Sequence, residues 1–248
     1  MKQTQKIMGM PITIEIFGPK VTEDIFNKAF SYFRYIDEKF STFKNTSEIT
    51  KINRGELEKK DWSDDMGIIF MLAEETKQMT NGFFDIKKPD GSYDPSGIVK
   101  GWSIYQVARM LDAEGYDDYY VEAGGDIQVR RKDIKKEPWS IGIRNPFNLD
   151  QVVKIIELYD GGVATSGTYL QGQHIYNPHK PKDAITEIVS LTVVGSNIYD
   201  ADRFATAAFA MGNDGIMFIE KLKDFEGYTI NNHGIATETS GFPRYVKK

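Results

Sequence analysis

The 248-residue chain contains no cysteine, which excludes disulfides, iron–sulfur clusters and thiolate zinc sites. Histidine is nearly as scarce. His174, His179 and His233 are the whole supply, too few and too dispersed for a three-histidine zinc centre. Positive charge is in deficit as well: 31 Lys and Arg against 36 Asp and Glu leave a formal net charge of −5. A general nucleic-acid binder needs a basic face, so no nucleic-acid partner is expected. No apolar stretch approaches the ~20 residues of a membrane-spanning helix, so no membrane insertion is expected either. The first ten residues carry two lysines but no apolar run of signal-peptide length and no cysteine for a lipid anchor. A cytoplasmic location is the expectation for the sequence as given, or export if a leader has been trimmed. Neither a Walker A sequence nor a G-x-G-x-x-G after a strand is present, which excludes an ordinary P-loop or Rossmann reading.

What is present is a 40% hydrophobic chain with 12% aromatic residues and 22 glycines, enough for a sizeable core. Ile12-Thr-Ile-Glu-Ile-Phe17 alternates as a half-buried strand does. Ile25, Ala29, Phe33 and Ile36 repeat with helical spacing and predict a helix over 23–39. A short helix capped by Thr46 or Ser47, a long one from Ser63 to Met79 closed by Asn81-Gly82, and a third over 99–114 follow. Strand signals crowd the middle, at 119–123, 127–129, 139–143, 154–159 and 187–194. Helices at 199–211 and 214–223 and a strand near 228–230 close the chain. Helices in blocks around a run of strands predict an α+β fold, with central mixed or antiparallel sheets flanked by helices, as one domain over 1–248.

Three constellations carry candidate chemistry. Asp94-Pro-Ser-Gly-Ile-Val-Lys-Gly101 opens a helix, where free backbone N–H groups suit a phosphate and Lys100 sits in the first turn; a plain connection capped by Ser96 is the alternative. Asp202 and Thr206, four apart, put a carboxylate and a hydroxyl on one helix face, a hard-oxygen pair suited to Mg²⁺; helix capping or solvation is the alternative. His174, in Gly172-Gln-His-Ile-Tyr-Asn-Pro178, has the chemistry of a general base, or of a satisfied polar loop residue. Gly97, Gly101, Gly124, Gly125, Gly161, Gly162 and Gly167 lie beside Asp94, Asp126 and Thr165-Ser166. They read either as turns and close packing or as backbone amides around a ligand.

Together these pieces resemble the FAD:protein FMN transferases, the ApbE family. The resemblance runs through nearly the whole chain and in order: Met8-Gly-Met10 ahead of the first strand, Phe40-Ser-Thr-Phe43 with Ser47-Glu-Ile and Asn53, and Asn81-Gly-Phe-Phe-Asp85. It continues through Asp94–Gly101, Gly124-Gly-Asp126, Ala164-Thr-Ser-Gly167, His174-Ile-Tyr-Asn-Pro178 and Ala201-Asp-Arg-Phe-Ala-Thr206. It implies an ApbE-like, T-fold-like architecture and transfer of the FMN half of FAD to a Ser or Thr hydroxyl of an acceptor flavoprotein, with Mg²⁺ and release of AMP. Hydrolysis of FAD to FMN and AMP, or flavin binding without turnover, are the alternatives it leaves.

By the same resemblance Asp202, Thr206 and the Gly97 carbonyl would hold the metal. Met8, Phe43, Phe83, Phe84, Asp85, Asp94, Thr165, Ser166 and Ile175 would contact FAD. Lys100 would face the diphosphate and His174 would assist the incoming hydroxyl. The chain departs from the family pattern in three places. Phe43 stands for the usual Tyr, Asn177 for the usual Asp, and only the eight residues 86–93 separate Asp85 from Asp94, where longer members carry an insert that helps cover the cofactor. It reads as a short member with a more open pocket.

Overall fold

The computed structural model describes residues 1–167 and 175–247. Strand alternation builds β2 (Met10–Ile16), whose Ile12, Ile14 and Ile16 are fully buried on one face. Its antiparallel partner β1 (Lys2–Ile7) is not evident from sequence, because Lys2-Gln-Thr-Gln-Lys6 shows no apolar residue before Ile7. An edge strand needs none, and lysines there discourage further pairing. Met8-Gly9, expected ahead of the first strand, is therefore the turn joining the first two, with both residues at positive φ.

After α1 (Glu23–Phe40), α2 (Glu48–Asn53), α3 (Asp64–Met79) and α4 (Ser96–Ala113), the chain forms β3 (Asp118–Ala123) and β4 (Asp126–Arg131). A separate hairpin follows, β5 (Trp139–Asn145) and β6 (Asn148–Leu158), then β7 (Asp160–Gly167) and β8 (Ile188–Gly195). The chain closes with α5 (Ile198–Ala210), α6 (Gly215–Glu220), β9 (Glu226–Asn231) and β10 (Ala236–Glu238). The main sheet has the order β1-β2-β3-β4-β7-β8-β9-β10, and its strand pairs are all antiparallel. The α+β class holds, in its antiparallel form.

One sheet face packs Ile12, Ile14, Tyr119 and Val121 against Phe26, Phe30, Ile104 and Phe204 of α1, α4 and α5. The other packs Ile127, Val129, Val163 and Tyr228 against Ile141, Ile143, Ile156 and Leu158 of the hairpin. Alternation along β4 thus turns Ile127 and Val129 to the hairpin and leaves Asp126 and Gln128 on the helix face. Gln128 Oε1 accepts the Ile198 N–H at 2.8 Å, fixing the start of α5. A Cβ on Gly162 would stand 2.1 Å from the Ile198 nitrogen, so this glycine lets α5 lie directly on β7. Gly161, Gly162 and Gly167, read in sequence as turns, close packing or amides around a ligand, all lie in one central strand, where Gly162 serves packing. The last expected helix, 214–223, is shorter, stopping at Glu220. Among the described residues no helix is long and apolar enough to cross a membrane.

Candidate active site

The ends of these elements enclose a cavity of about 690 Å³, within the usual range for small-molecule sites. Its wall from the α3 side is set by a helix stop. The Gly82 N–H bonds to the Lys77 carbonyl at 2.8 Å and the Asn81 N–H to Gln78 at 3.2 Å, the paired bonds of a Schellman ending with Asn81 and Gly82 at positive φ. The chain then turns back, with Thr80 Oγ1 accepting the Phe84 N–H at 3.1 Å, and Phe83 and Phe84 face the cavity. Asp85 also lines it while pairing with Lys77 at 2.7 Å.

The short 86–93 segment is a compact bridge. The Lys88 N–H bonds to Ser92 O at 2.8 Å and the Asp94 N–H to Ile86 O at 2.7 Å. Asn53 clamps it from α2, donating Nδ2 to Tyr93 O at 2.9 Å and accepting the Tyr93 N–H at 2.7 Å. Asn53→Ala is expected to lower stability by about 1 kcal/mol, the scale of exposed hydrogen bonds. Limited proteolysis should then cut faster within 86–93; an unchanged cleavage rate would show that the clamp is dispensable.

Beyond the bridge, α4 begins at Ser96, three residues earlier than its apolar spacing predicts. Ser96 makes no side-chain cap; Asp94 Oδ1 accepts the Ser96 N–H at 3.1 Å instead, as Asp commonly does ahead of a helix. Two glycines then bring α4 against α5. A Cβ on Gly97 would lie 3.1 Å from Thr206 Cγ2, and one on Gly101 2.6 Å from Asp202 Cβ. The Gly101 N–H donates to Asp202 Oδ2 at 2.7 Å. In a regular helix that N–H bonds back to the Gly97 carbonyl, so the Asp202 bond competes for it and leaves the Gly97 oxygen with acceptor capacity. Asp202 and Thr206 lie one turn apart on α5 and both line the cavity.

Lys100 lines the same wall, but its ammonium is held by carboxylates: 2.7 Å from Asp126 Oδ2 and 3.7 Å from Asp202 Oδ1. Burial pulls the Lys100 pKa down, yet the two carboxylates outweigh it and hold it above the ordinary lysine value. Asp202 goes the other way. Burial, with Asp126 beside it, pushes its carboxyl up to about 8 against the pull of Lys100 and the Gly101 amide. With both carboxylates ionised, one shared ammonium leaves the cluster short of positive charge. The donor set of Asp202, Thr206 and the Gly97 carbonyl suits a hard divalent cation such as Mg²⁺. Among the described residues no group of three or more His, Asp or Glu gathers around a metal position. A cation here would complete its shell with non-protein oxygens, as Mg²⁺ does with phosphates.

The remaining expected contacts line the cavity too: Met8, Phe43, Thr165, Ser166 and Ile175. Phe43 is 97% exposed, a ring without protein cover and free to meet a ligand. His174 lies outside the described residues. Sequence reasoning named Asp126, after Gly124-Gly125, without giving it a role, and gave His179 none. The His179 Nε2–H donates to Asn81 O at 2.9 Å, and its ring packs edge-on against Phe83 at 4.6 Å, tying the turn before Phe83 to the segment after Ile175. Asn177, the departure from the family's Asp, is outside the cavity wall; its Oδ1 accepts the His179 N–H at 2.9 Å, a turn role that either residue fills.

The description "ApbE family" fits residues 8–88 and 87–229, two segments that meet at the short bridge. A curated FAD:protein FMN transferase from Vibrio cholerae is 35% identical over 136 residues, covering 51% of this chain and 40% of the relative. One from Haemophilus influenzae is 29% identical over 164 residues, covering 61% and 47%. The chain thus spans less than half the length of these curated relatives. Among solved structures, the flavin transferase ApbE from Vibrio cholerae superposes with a TM-score of 0.84 at 22% identity, over 99% of this chain and 98% of that one. The ApbE protein from Thermotoga maritima gives 0.86 at 21% identity, over 100% and 99%. These superpositions establish the shared fold. On the match to the family description, the chain belongs to the ApbE family.

Proposed function

We propose that this protein transfers the FMN half of FAD to a Ser or Thr hydroxyl of an acceptor protein, releasing AMP, with Mg²⁺ as cofactor. The observation that supports it most is convergence. Motifs scattered from Met8 to Thr206 line one cavity, and relatives matched over part of the chain are named FAD:protein FMN transferases.

In this reading the exposed ring of Phe43 and the rings of Phe83 and Phe84 receive the flat groups of FAD, by stacking or edge contact. The diphosphate lies toward the start of α4, where the helix dipole favours negative charge. Asp202, Thr206 and the Gly97 carbonyl would hold Mg²⁺, which would polarise the phosphoryl group and neutralise charge on the departing AMP. Lys100, held at 2.7 Å by Asp126, offsets part of the buried negative charge beside them. The acceptor oxygen forms a bond to the flavin-side phosphorus, the bond from that phosphorus to the bridging oxygen breaks, and AMP leaves with that oxygen. The hydroxyl proton passes to a base, the role assigned to His174. Aligning attacker and leaving group and neutralising charge is most of what such a transfer requires.

The exposed Phe43 and the short bridge favour a second reading, in which water replaces the hydroxyl and the products are FMN and AMP. Incubation with FAD, Mg²⁺ and an acceptor should give a flavin-fluorescent acceptor band on a denaturing gel together with AMP. FMN and AMP with no labelled acceptor would favour the hydrolase, and no AMP under any divalent cation would overturn both.

A further inference from the structure

Asp126, Lys100 and Asp202 come from three different elements, β4, α4 and α5, and meet in one buried cluster. The Asp126 and Asp202 side chains are 1% and 4% exposed. Each has one oxygen fixed by a backbone amide. Asp126 Oδ1 accepts the Thr165 N–H at 3.1 Å, and Asp202 Oδ2 accepts the Gly101 N–H at 2.7 Å. Their other oxygens share the Lys100 ammonium, and they share it unequally, at 2.7 Å from Asp126 and 3.7 Å from Asp202. Among the described residues Asp126 Oδ2 makes no hydrogen bond, and the Lys100 ammonium is its ion-pair partner.

The inequality has a chemical consequence. An ammonium seated on Asp202 would occupy the carboxylate that the proposed function requires for a cation. Seated on Asp126, it compensates buried negative charge and leaves Asp202 Oδ1 lightly engaged. We propose that Asp126 is a positioning residue that draws Lys100 off Asp202, so that the Asp126–Lys100 pair sets the divalent-cation affinity of the site. This rests on the reading of Asp202 as a cation ligand.

The arrangement predicts an order. With both carboxylates ionised the cluster is short one positive charge, which attracts a cation. Asp126→Asn removes that deficit and leaves Asp202 as the only carboxylate for Lys100, so the ammonium moves onto it and competes. Lys100→Met removes the competitor and deepens the deficit. Replacing groups that act behind metal ligands typically changes affinity by about 10–100-fold. The affinities should therefore run Lys100→Met tighter than wild type and Asp126→Asn weaker, each by at least about tenfold. The asparagine is isosteric and keeps its bond to the Thr165 N–H through the carbonyl oxygen.

The test is calorimetric titration of Mg²⁺ and Mn²⁺ into the flavin-free protein and both variants, with melting curves recorded without metal. Weaker binding by a folded Asp126→Asn and tighter binding by Lys100→Met supports the inference. If Lys100→Met fails to fold, Asp126→Asn alone decides. Wild-type affinity in Asp126→Asn, or weaker binding in both variants, overturns it and leaves Asp202 as a ligand. No divalent binding by the wild type overturns the reading of Asp202 itself.

Discussion

Asp202→Asn is expected to reduce FMN transfer by roughly 10²–10³-fold, the scale for losing one preorganised charge-stabilising group, and to abolish its dependence on divalent cation. The amide keeps the shape of the side chain and can still accept the Gly101 N–H, now 2.7 Å from Oδ2. What disappears is the only charged ligand assigned to the cation. Lys100 then pairs with Asp126 alone, so the buried cluster becomes balanced and the fold should survive.

The same variant carries a pH signature. Burial raises the Asp202 carboxyl from 3.8 to about 8 in the folded protein. A group raised on folding contributes stability that is complete below its unfolded value and is lost as pH rises through its folded one. Metal-free wild type should therefore lose stability between about pH 4 and 8 through this group, and Asp202→Asn should lack that slope. Melting curves at about pH 5 and about pH 8 without metal check this, beside a transfer assay with and without chelator. Near wild-type transfer by the variant, still sensitive to chelator, would remove Asp202 from the site.

Gly101→Ala should carry the larger structural effect. Its Cβ would stand 2.6 Å from Asp202 Cβ and 2.9 Å from the Ile198 carbonyl oxygen. The second contact is backbone, at the start of α5, and no side-chain rotation relieves it. The two helices must separate, and overpacking of this kind typically costs about 1–3 kcal/mol, occasionally more. In a chain of this size that lowers Tm by roughly 2–12 °C. Cation affinity should fall with it, because the Asp202–Gly101 bond is what aims the carboxylate. Gly67→Ala is the control: it lies within α3 with nothing within 4 Å of the added carbon, so the gain in helix propensity should dominate. Equal melting of Gly101→Ala and wild type would show that α4 and α5 have slack at this contact.

The site was more legible in the sequence than the sheet was. Asp202 and Thr206 declared a shared face by their spacing. Of the two caps offered for the short helix, Ser47 is the one used, accepting the Thr50 N–H, and Ser63, the expected start of the long helix, caps it by accepting the Met66 N–H. These are local signals, carried within one turn of helix. β1 and β7 were not legible because nothing local marks them. The first is polar along most of its length, and the second is a glycine-rich strand whose pairing with β4 and β8 is long-range. The role of Asp126 was hidden for a related reason. Its partner Lys100 is distant in sequence, and only the alternation of β4 turns its carboxylate toward α4. The start of α4 was misplaced because Ser96 and Gly97, which line the cavity, carry no apolar signal.

One measurement tests flavin transfer most directly: intact-mass spectrometry of an acceptor protein incubated with this protein, FAD and Mg²⁺, with AMP quantified in the same sample. The expected result is an acceptor heavier by one FMN ester, AMP in equal amount, and neither product when the cation is chelated. An acceptor of unchanged mass, with or without AMP in solution, would contradict transfer as the function of this site.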